Sequence, residues 1–314
     1  MLGPYFAEGQ AANPSITLPE DDVEAMTWLC KALHFKLSAN ERLISFGLGR
    51  KLATLCDKYD TSVAISSWSA MWMQNWKGSV DGNISYAPLL YMSYAFGNHE
   101  AFWCTSRDIM QYYTTNEIKQ IANELQSEIL PYRLFDSINA ERTKTLLRLQ
   151  TTIEDMLPPF INDKCPEMSS CRLLTVAGYY LSELIRLGLW PLSRIVEQTS
   201  INTIASQIEH FENFDETSHE DEEDGWGGRT SSGGKKNRRG KKFEVWQESC
   251  SVPEIDCKKL LQDAASVASK ALQGLCLNCI KEGKVTTEEG NCQARSQWDC
   301  QMQQTKESTQ IATP

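Results

Sequence analysis

The sequence predicts a mainly helical protein, and three observations support this fold class. Apolar residues recur three or four positions apart in one segment after another, which is the spacing of a helix face. Helix-ending residues follow several of these segments, among them Pro131, Pro158 and Gly188. A strand-like stretch is limited to the short lead-in from Ile16 to Leu18. We therefore expect one helix after another along the chain.

The first two helices are predicted within residues 16–60. Thr17 is a candidate N-cap for the first helix, Pro19 lies near its first position, and the acidic run at 20–22 falls in its first turn. The inward face of this helix is expected to contain Val23, Met26, Leu29, Cys30 and Leu33. The second helix has Leu48, Leu52, Leu55 and Tyr59 at the same spacing. Neither helix carries a group typical of a catalytic site.

A third helix is predicted from a stripe of aromatic residues. Thr61 and Ser62 can cap it. Its inward side is expected to contain Ile65, Trp68, Trp72 and Trp76. Such a stripe could bind a ligand, but a buried helix face needs the same spacing, so core packing is the favoured interpretation.

Further helices are predicted up to residue 211. Their starting or capping residues are Pro88, Asn98 and Thr115. Longer helices are expected at about 133–156 and at 169–187, and Gly188 ends the second of these. The last helix of this region has Ile201, Ile204, Ile208 and Phe211 on its inward side.

The composition changes abruptly after residue 211. Residues 212–242 are first acidic, then rich in Gly and Ser, and then basic, and their few apolar residues predict a disordered acidic-basic linker. A small helical element is expected at 243–281, and a disordered tail at 282–314. The inward face of the small element is predicted to contain Leu260, Ala264, Val267, Ala271 and Leu275.

Two short motifs in the first helical pair carry a family resemblance. Residues 18–22 read LPEDD and open a helix, and residues 57–60 read DKYD and end a later one. The opening MLGPYFAEGQ is similar to the segment that precedes the first motif in the same family. In this order and spacing, roughly the first hundred residues resemble the BTB/POZ fold, most closely the large fungal group of BTB-domain proteins.

The resemblance implies a domain organisation. Residues 1–80 would be the helical remainder of a BTB/POZ domain, which is an α+β fold, and residues 81–211 would be a helical C-terminal extension. Because the BTB fold normally begins with strands and a helix upstream of the LPEDD segment, we expect this domain to be incomplete at its N-terminus.

The resemblance also implies a function. We expect a protein–protein interaction protein without catalysis, which self-associates or recruits a partner such as a cullin-type ubiquitin ligase scaffold. No residue is assigned to either contact. The residues themselves agree with a non-enzymatic role, because the four histidines lie far apart in sequence and no Cys/His or Ser/His/Asp arrangement can be proposed.

Composition bounds the partners and the compartment. A formal net charge of −10 and a pI of about 5.1 make the whole chain a poor electrostatic match for nucleic acid or an anionic membrane. No stretch approaches the roughly 18 consecutive apolar residues of a membrane span, and no secretory signal is recognised. The 11 cysteines, an odd number, favour a reducing compartment. We therefore expect an intracellular protein of the nucleus or cytoplasm with no membrane partner.

A basic run in the linker suggests an alternative function. The sequence KKNRRGKK contains Lys235, Lys236, Arg238, Arg239, Lys241 and Lys242. It is a candidate nuclear import signal, and a solvated linker without a receptor explains it about equally well. Direct nucleic-acid binding is not expected, because no helix has a clustered basic face and no zinc-finger or homeodomain spacing occurs.

Four cysteines near the C-terminus are the candidate metal ligands. Cys276 and Cys279 form a CxxC that could give zinc two ligands, and Cys250 and Cys257 could complete the site. The last two lie seven positions apart, which departs from the usual short ligand spacing. Reduced, partly buried thiols are therefore the favoured interpretation, and no cofactor is expected. With zinc bound, the chain would instead fit a nuclear regulatory protein with a zinc-stabilised C-terminal element.

Overall fold

The structure is a computed structural model that describes residues 18–38, 41, 43–77, 86–125, 130–131, 133–157, 172–191, 197–214 and 255–283. Its helices are α1 (Val23–Leu33), α2 (Phe46–Lys58), α3 (Ser66–Lys77), α4 (Tyr86–Ala95), α5 (His99–Tyr112), α6 (Thr115–Glu124), α7 (Arg133–Asp155), α8 (Arg172–Arg186), α9 (Ile201–Glu209), α10 (Cys257–Ala271) and α11 (Leu277–Lys281). Within these ranges there is no strand, so the mainly helical fold class is confirmed. The predicted linker beyond residue 214 and the tail beyond residue 283 lie outside the described residues.

Helices α1 and α2 pack against each other in opposite directions. Asp21, just before α1, pairs with Lys58 in the last turn of α2. At the other end, Lys31 in the last turn of α1 pairs with Glu41, which precedes α2. The two helices therefore form an antiparallel hairpin that ion pairs hold at both ends.

The start and the inward face of α1 differ from the prediction. The N-cap is Asp22, whose carboxylate accepts the Ala25 N–H at 3.0 Å, so residues 20–22 precede the first turn. Thr17 lies outside the described residues. Val23 is 81% exposed and Cys30 is also exposed. Leu29 is buried as predicted, and Met26 and Leu33 are partly buried against the core, but the other buried residues of α1 are Ala25 and Ala32. The ion pairs at its ends are compatible with this rotation, and the two small buried alanines let α1 approach its neighbours closely.

The aromatic residues of α3 belong to the core. Trp72 and Trp76 are buried and Trp68 is half-buried, so the interpretation of this stripe as core packing is confirmed. The indole N–H of Trp76 donates to the Ile44 carbonyl at 3.2 Å. A Cβ on Gly49 would lie 2.2 Å from the Trp76 ring, so α2 needs a glycine where this ring packs.

Local sequence signals set the ends of the later helices. Asn98 caps α5 through the Ala101 N–H at 2.9 Å, as predicted. Thr114, one residue before the predicted start, caps α6 in a capping box with Glu117. Gly188 ends α8 with a φ of +69°, in the left-handed region that favours glycine. The predicted inward residues of α9 are all buried, namely Ile201, Ile204, Ile208 and Phe211.

Helix α10 packs against α7 and α9, and α11 packs against α5. The buried residues along α10 and at its end are Cys257, Leu261, Ala265, Ala268 and Leu272. The predicted inward face was wrong at Leu260 and Val267, which are 45% and 65% exposed, and at Ala271, which is also exposed, whereas Leu275 is buried as predicted. The apolar sector of α10 is wider than the surface that it contacts. At its N-terminus, Asp256 accepts a hydrogen bond from the side-chain amide of Asn213 at 2.8 Å.

Candidate interaction surface

The two motifs at 18–22 and 57–60 meet in the structure. Asp21 accepts hydrogen bonds from the Lys58 ammonium group at 2.7 Å and from the Tyr59 hydroxyl. Asp22 accepts a hydrogen bond from the Lys51 ammonium group at 2.7 Å and also caps α1. Lys58 and then Tyr59 hold the pKa of Asp21 below its ordinary value, and Lys51 does the same for the pKa of Asp22. These contacts, here called the clasp, join the start of α1 to α2.

The chain leaves α1 in an unusual conformation at Phe35. The N–H of Lys36 donates to the Lys31 carbonyl at 2.8 Å, and the N–H of Phe35 donates to the Ala32 carbonyl at 3.2 Å. These two bonds define a Schellman motif, in which the residue at Phe35 takes a left-handed conformation that glycine usually supplies. Phe35 has a φ of +53°, and its ring is 82% exposed. A large aromatic residue thus stands in solvent on a strained backbone.

Glu41 fastens the connection between α1 and α2. Its carboxylate accepts hydrogen bonds from the Lys31 ammonium group at 2.5 Å and from the Ser38 N–H at 2.8 Å. These donors, Lys31 first, lower the pKa of Glu41 to about 2. Leu43 in the same connection is 70% exposed. Phe35 directly after α1 and Leu43 shortly before α2 are therefore two exposed apolar side chains near these hydrogen bonds, and together they are here called the loop patch.

Three of the four predicted metal ligands, Cys257, Cys276 and Cys279, lie within the described residues. Cys257 is buried and its thiol is hydrogen-bonded to the Tyr180 hydroxyl, while burial raises the pKa of both groups. Cys276 is buried at the N-cap of α11, and Cys279 is half-buried. Cys250 lies outside the described residues, and within those described no three His, Cys, Asp or Glu side chains form a group that could hold a metal. Zinc binding by Cys250, Cys257, Cys276 and Cys279 stays a prediction.

The basic run also stays a prediction. Its residues Lys235, Lys236, Arg238, Arg239, Lys241 and Lys242 lie outside the described residues. No described helix is long and apolar enough to cross a membrane.

Sequence reasoning missed the buried charge of Arg142. Arg142 on α7 is fully buried, and its guanidinium donates to the Tyr113 carbonyl at 3.0 Å, the Thr115 hydroxyl at 2.8 Å and the Thr199 carbonyl at 2.5 Å. Burial lowers its pKa to about 10, against the opposing effect of Glu117. Arg142 therefore joins the α5–α6 connection and the start of α9 to α7. Nothing in the polar pattern of α7 distinguishes this arginine from its exposed neighbours.

Comparison with known proteins gives no match. No family model, no curated protein and no solved structure matches the chain.

Proposed function

We propose that this chain is a protein–protein interaction protein of BTB/POZ type, with a self-association or recruitment role and no catalysis. The observation that carries the proposal is the clasp. Asp21 in the first motif that the sequence resemblance singles out contacts Lys58 and Tyr59 in the second across the α1–α2 hairpin. Because the two motifs contact each other, they form one structural unit. This supports the interpretation that both belong to the same BTB/POZ-type domain.

The loop patch is the part of the hairpin best suited to contact a partner. A left-handed conformation costs a residue other than glycine about 1–2 kcal/mol, and an exposed ring recovers little of that cost in the free chain. Aromatic residues that become buried at an interface often dominate binding. A role in binding therefore accounts for an aromatic residue at Phe35 better than folding does.

The partner is a protein in either form of the proposal. A second copy of the chain or a scaffold such as a cullin-type ligase would cover Phe35 and Leu43 with an apolar pocket, because isolated rings and leucines bind best in desolvated pockets. The exposed charges around the hairpin, Lys36 and Arg50 among them, would then form the polar rim of the contact.

Affinity purification of the tagged full chain from its own cells tests the proposal. The variant Phe35→Ser/Leu43→Ser removes the loop patch, and Leu147→Ser/Ile185→Ser is the matched control, because these two residues on α7 and α8 are also large, apolar and exposed. We expect the loop-patch variant to lose specific protein partners that the control retains. Equal melting temperatures of both variants would show that folding is not the cause.

Two results would contradict the proposal. One is an identical set of partners for the wild-type chain and the loop-patch variant. The other is the loss of the same partners from the control variant, because it would show that any exposed apolar residue contributes equally.

A further inference from the structure

Helix α10 carries a second apolar face beside its buried one. This face, here called the α10 stripe, consists of Leu260, Ala264, Val267 and Ala271. Leu260, Val267 and Ala271 are exposed and Ala264 is half-buried. A helix that is apolar over so wide a sector normally packs against an element on each part of it.

The spacing of the α10 stripe is that of a helix-pairing seam. Its members lie four, three and four positions apart, which is the a/d pattern of a heptad repeat. Of the two apolar heptad positions, Leu260 and Val267 share one, and Ala264 and Ala271 share the other. Side chains in this pattern insert between those of a facing helix.

Two charges beside the stripe indicate which helix it faces. Asp263 and Lys270 are exposed on the same edge of the stripe, on the side away from the buried face. They are seven positions apart, so about 10.5 Å of helix axis separates them and they cannot pair within one helix. When two α10 helices lie antiparallel, Asp263 of each copy comes opposite Lys270 of the other, because charges that flank a seam pair across it.

We propose that α10 pairs antiparallel with α10 of a second copy of this chain. Leu260 then packs over Ala271 of the second copy, and Ala264 packs over Val267. Each layer joins a large and a small side chain, which lets the helices approach closely. Two equivalent Asp263–Lys270 ion pairs border the seam. This surface lies outside the α1–α2 hairpin, so the inference goes beyond the proposed function.

The small size of the seam limits the affinity of the dimer. Four seam residues on one helix cover less than the roughly 800 Å² per partner of a standard protein interface. The exposed ion pairs add orientation more than affinity, and salt screens them. The result is a reversible dimer whose population rises with protein concentration and falls with salt.

Sedimentation velocity of the full chain over about two decades of concentration tests this pairing. Asp263→Lys or Lys270→Asp alone places like charges opposite each other at both ends of the seam, and weakens the dimer about tenfold. The double exchange D263K/K270D restores both pairs and the wild-type dimer. Glu209→Lys, the same change of charge at an exposed position on α9, leaves the dimer unchanged.

Three results would overturn the proposal. A chain that stays monomeric at every concentration shows that no second copy occupies the α10 stripe. In that case, a lower melting temperature of the Val267→Ser variant would indicate that other residues of the same chain cover the stripe. A dimer that the double exchange does not restore has another geometry. A dimer that Phe35→Ser/Leu43→Ser abolishes uses the loop patch instead.

Discussion

The contact between the C-terminal segment and α5 leaves no space for a side chain at Gly274. A Cβ at this position would lie 2.0 Å from the Trp103 carbonyl oxygen and 2.6 Å from its carbon. Both atoms belong to the backbone of α5, so the obstacle cannot move as a side chain could. The next residue, Leu275, donates its N–H to the Ser106 hydroxyl at 2.9 Å and is fully buried. Gly274→Ala must therefore displace this segment from α5.

Two limits bound the cost of Gly274→Ala. Forcing a methyl group into a well-packed contact costs about 1–3 kcal/mol. Complete undocking would expose Leu275, Leu277 and Ile280, each worth about 1.5–3 kcal/mol of burial. Because the clash is with backbone and is deep, we expect a loss of about 3 kcal/mol in the free energy of unfolding.

Gly178→Ala is the matched control. Gly178 lies exposed inside α8, and a Cβ there would have no atom within 4 Å. In a helix interior, alanine is more favourable than glycine by about 1 kcal/mol, so this variant should be more stable than the wild-type chain. Urea unfolding measures both changes, and hydrogen exchange of residues 272–283 locates the first. The reasoning is refuted if Gly274→Ala keeps wild-type stability and protection.

Three further predictions concern the hairpin and the buried arginine. Phe35→Gly relieves the left-handed conformation and should stabilise the chain by about 0.5–1 kcal/mol in urea unfolding while weakening partner binding. The pKa of Glu41 is about 2 in the folded chain, against an ordinary value of 4.5. The contribution of Glu41 to stability is therefore present above pH 4.5 and is lost as the pH falls toward 2. Glu41→Gln should flatten that part of the pH–stability profile. Arg142→Met leaves the Tyr113 and Thr199 carbonyls without this donor and should cost about 3 kcal/mol in thermal or urea unfolding.

Each of these has its own control. Phe35→Ala removes the ring but keeps the backbone conformation, so stabilisation equal to that of Phe35→Gly would contradict the strain argument. Glu24→Gln changes an exposed carboxylate of α1 and should leave the acid limb of the profile unchanged. Arg148→Met, at an exposed site on α7, should be nearly neutral; equal losses at 142 and 148 would contradict the role given to the buried guanidinium.

Signals that act within a few residues were readable in the sequence. Asn98 and Gly188 marked helix ends correctly, because a cap or a left-handed turn depends on the adjacent backbone. The core role of Trp72 and Trp76 also followed from spacing, because large aromatic residues on one helix side have few other places to lie.

The rotation of α1 and α10 could not be read in the same way. Each helix has an apolar sector wider than its contact, so several rotations would bury similar area. The elements that α1 and α10 pack against come from other parts of the chain: α2 for α1, and α7 and α9 for α10. Periodicity therefore named Val23, Cys30 and Val267 as inward although all three are exposed.

The sequence by itself determined that this chain is mainly helical and where most of its helices lie. Those properties arise from local backbone preferences and from residue spacing. Only the tertiary structure decided that Arg142 is buried, that Gly274 tolerates no methyl group whereas Gly178 does, and that Phe35 stands exposed. The physical reason is that each of these depends on atoms brought together from distant parts of the chain, which no spacing along the sequence records.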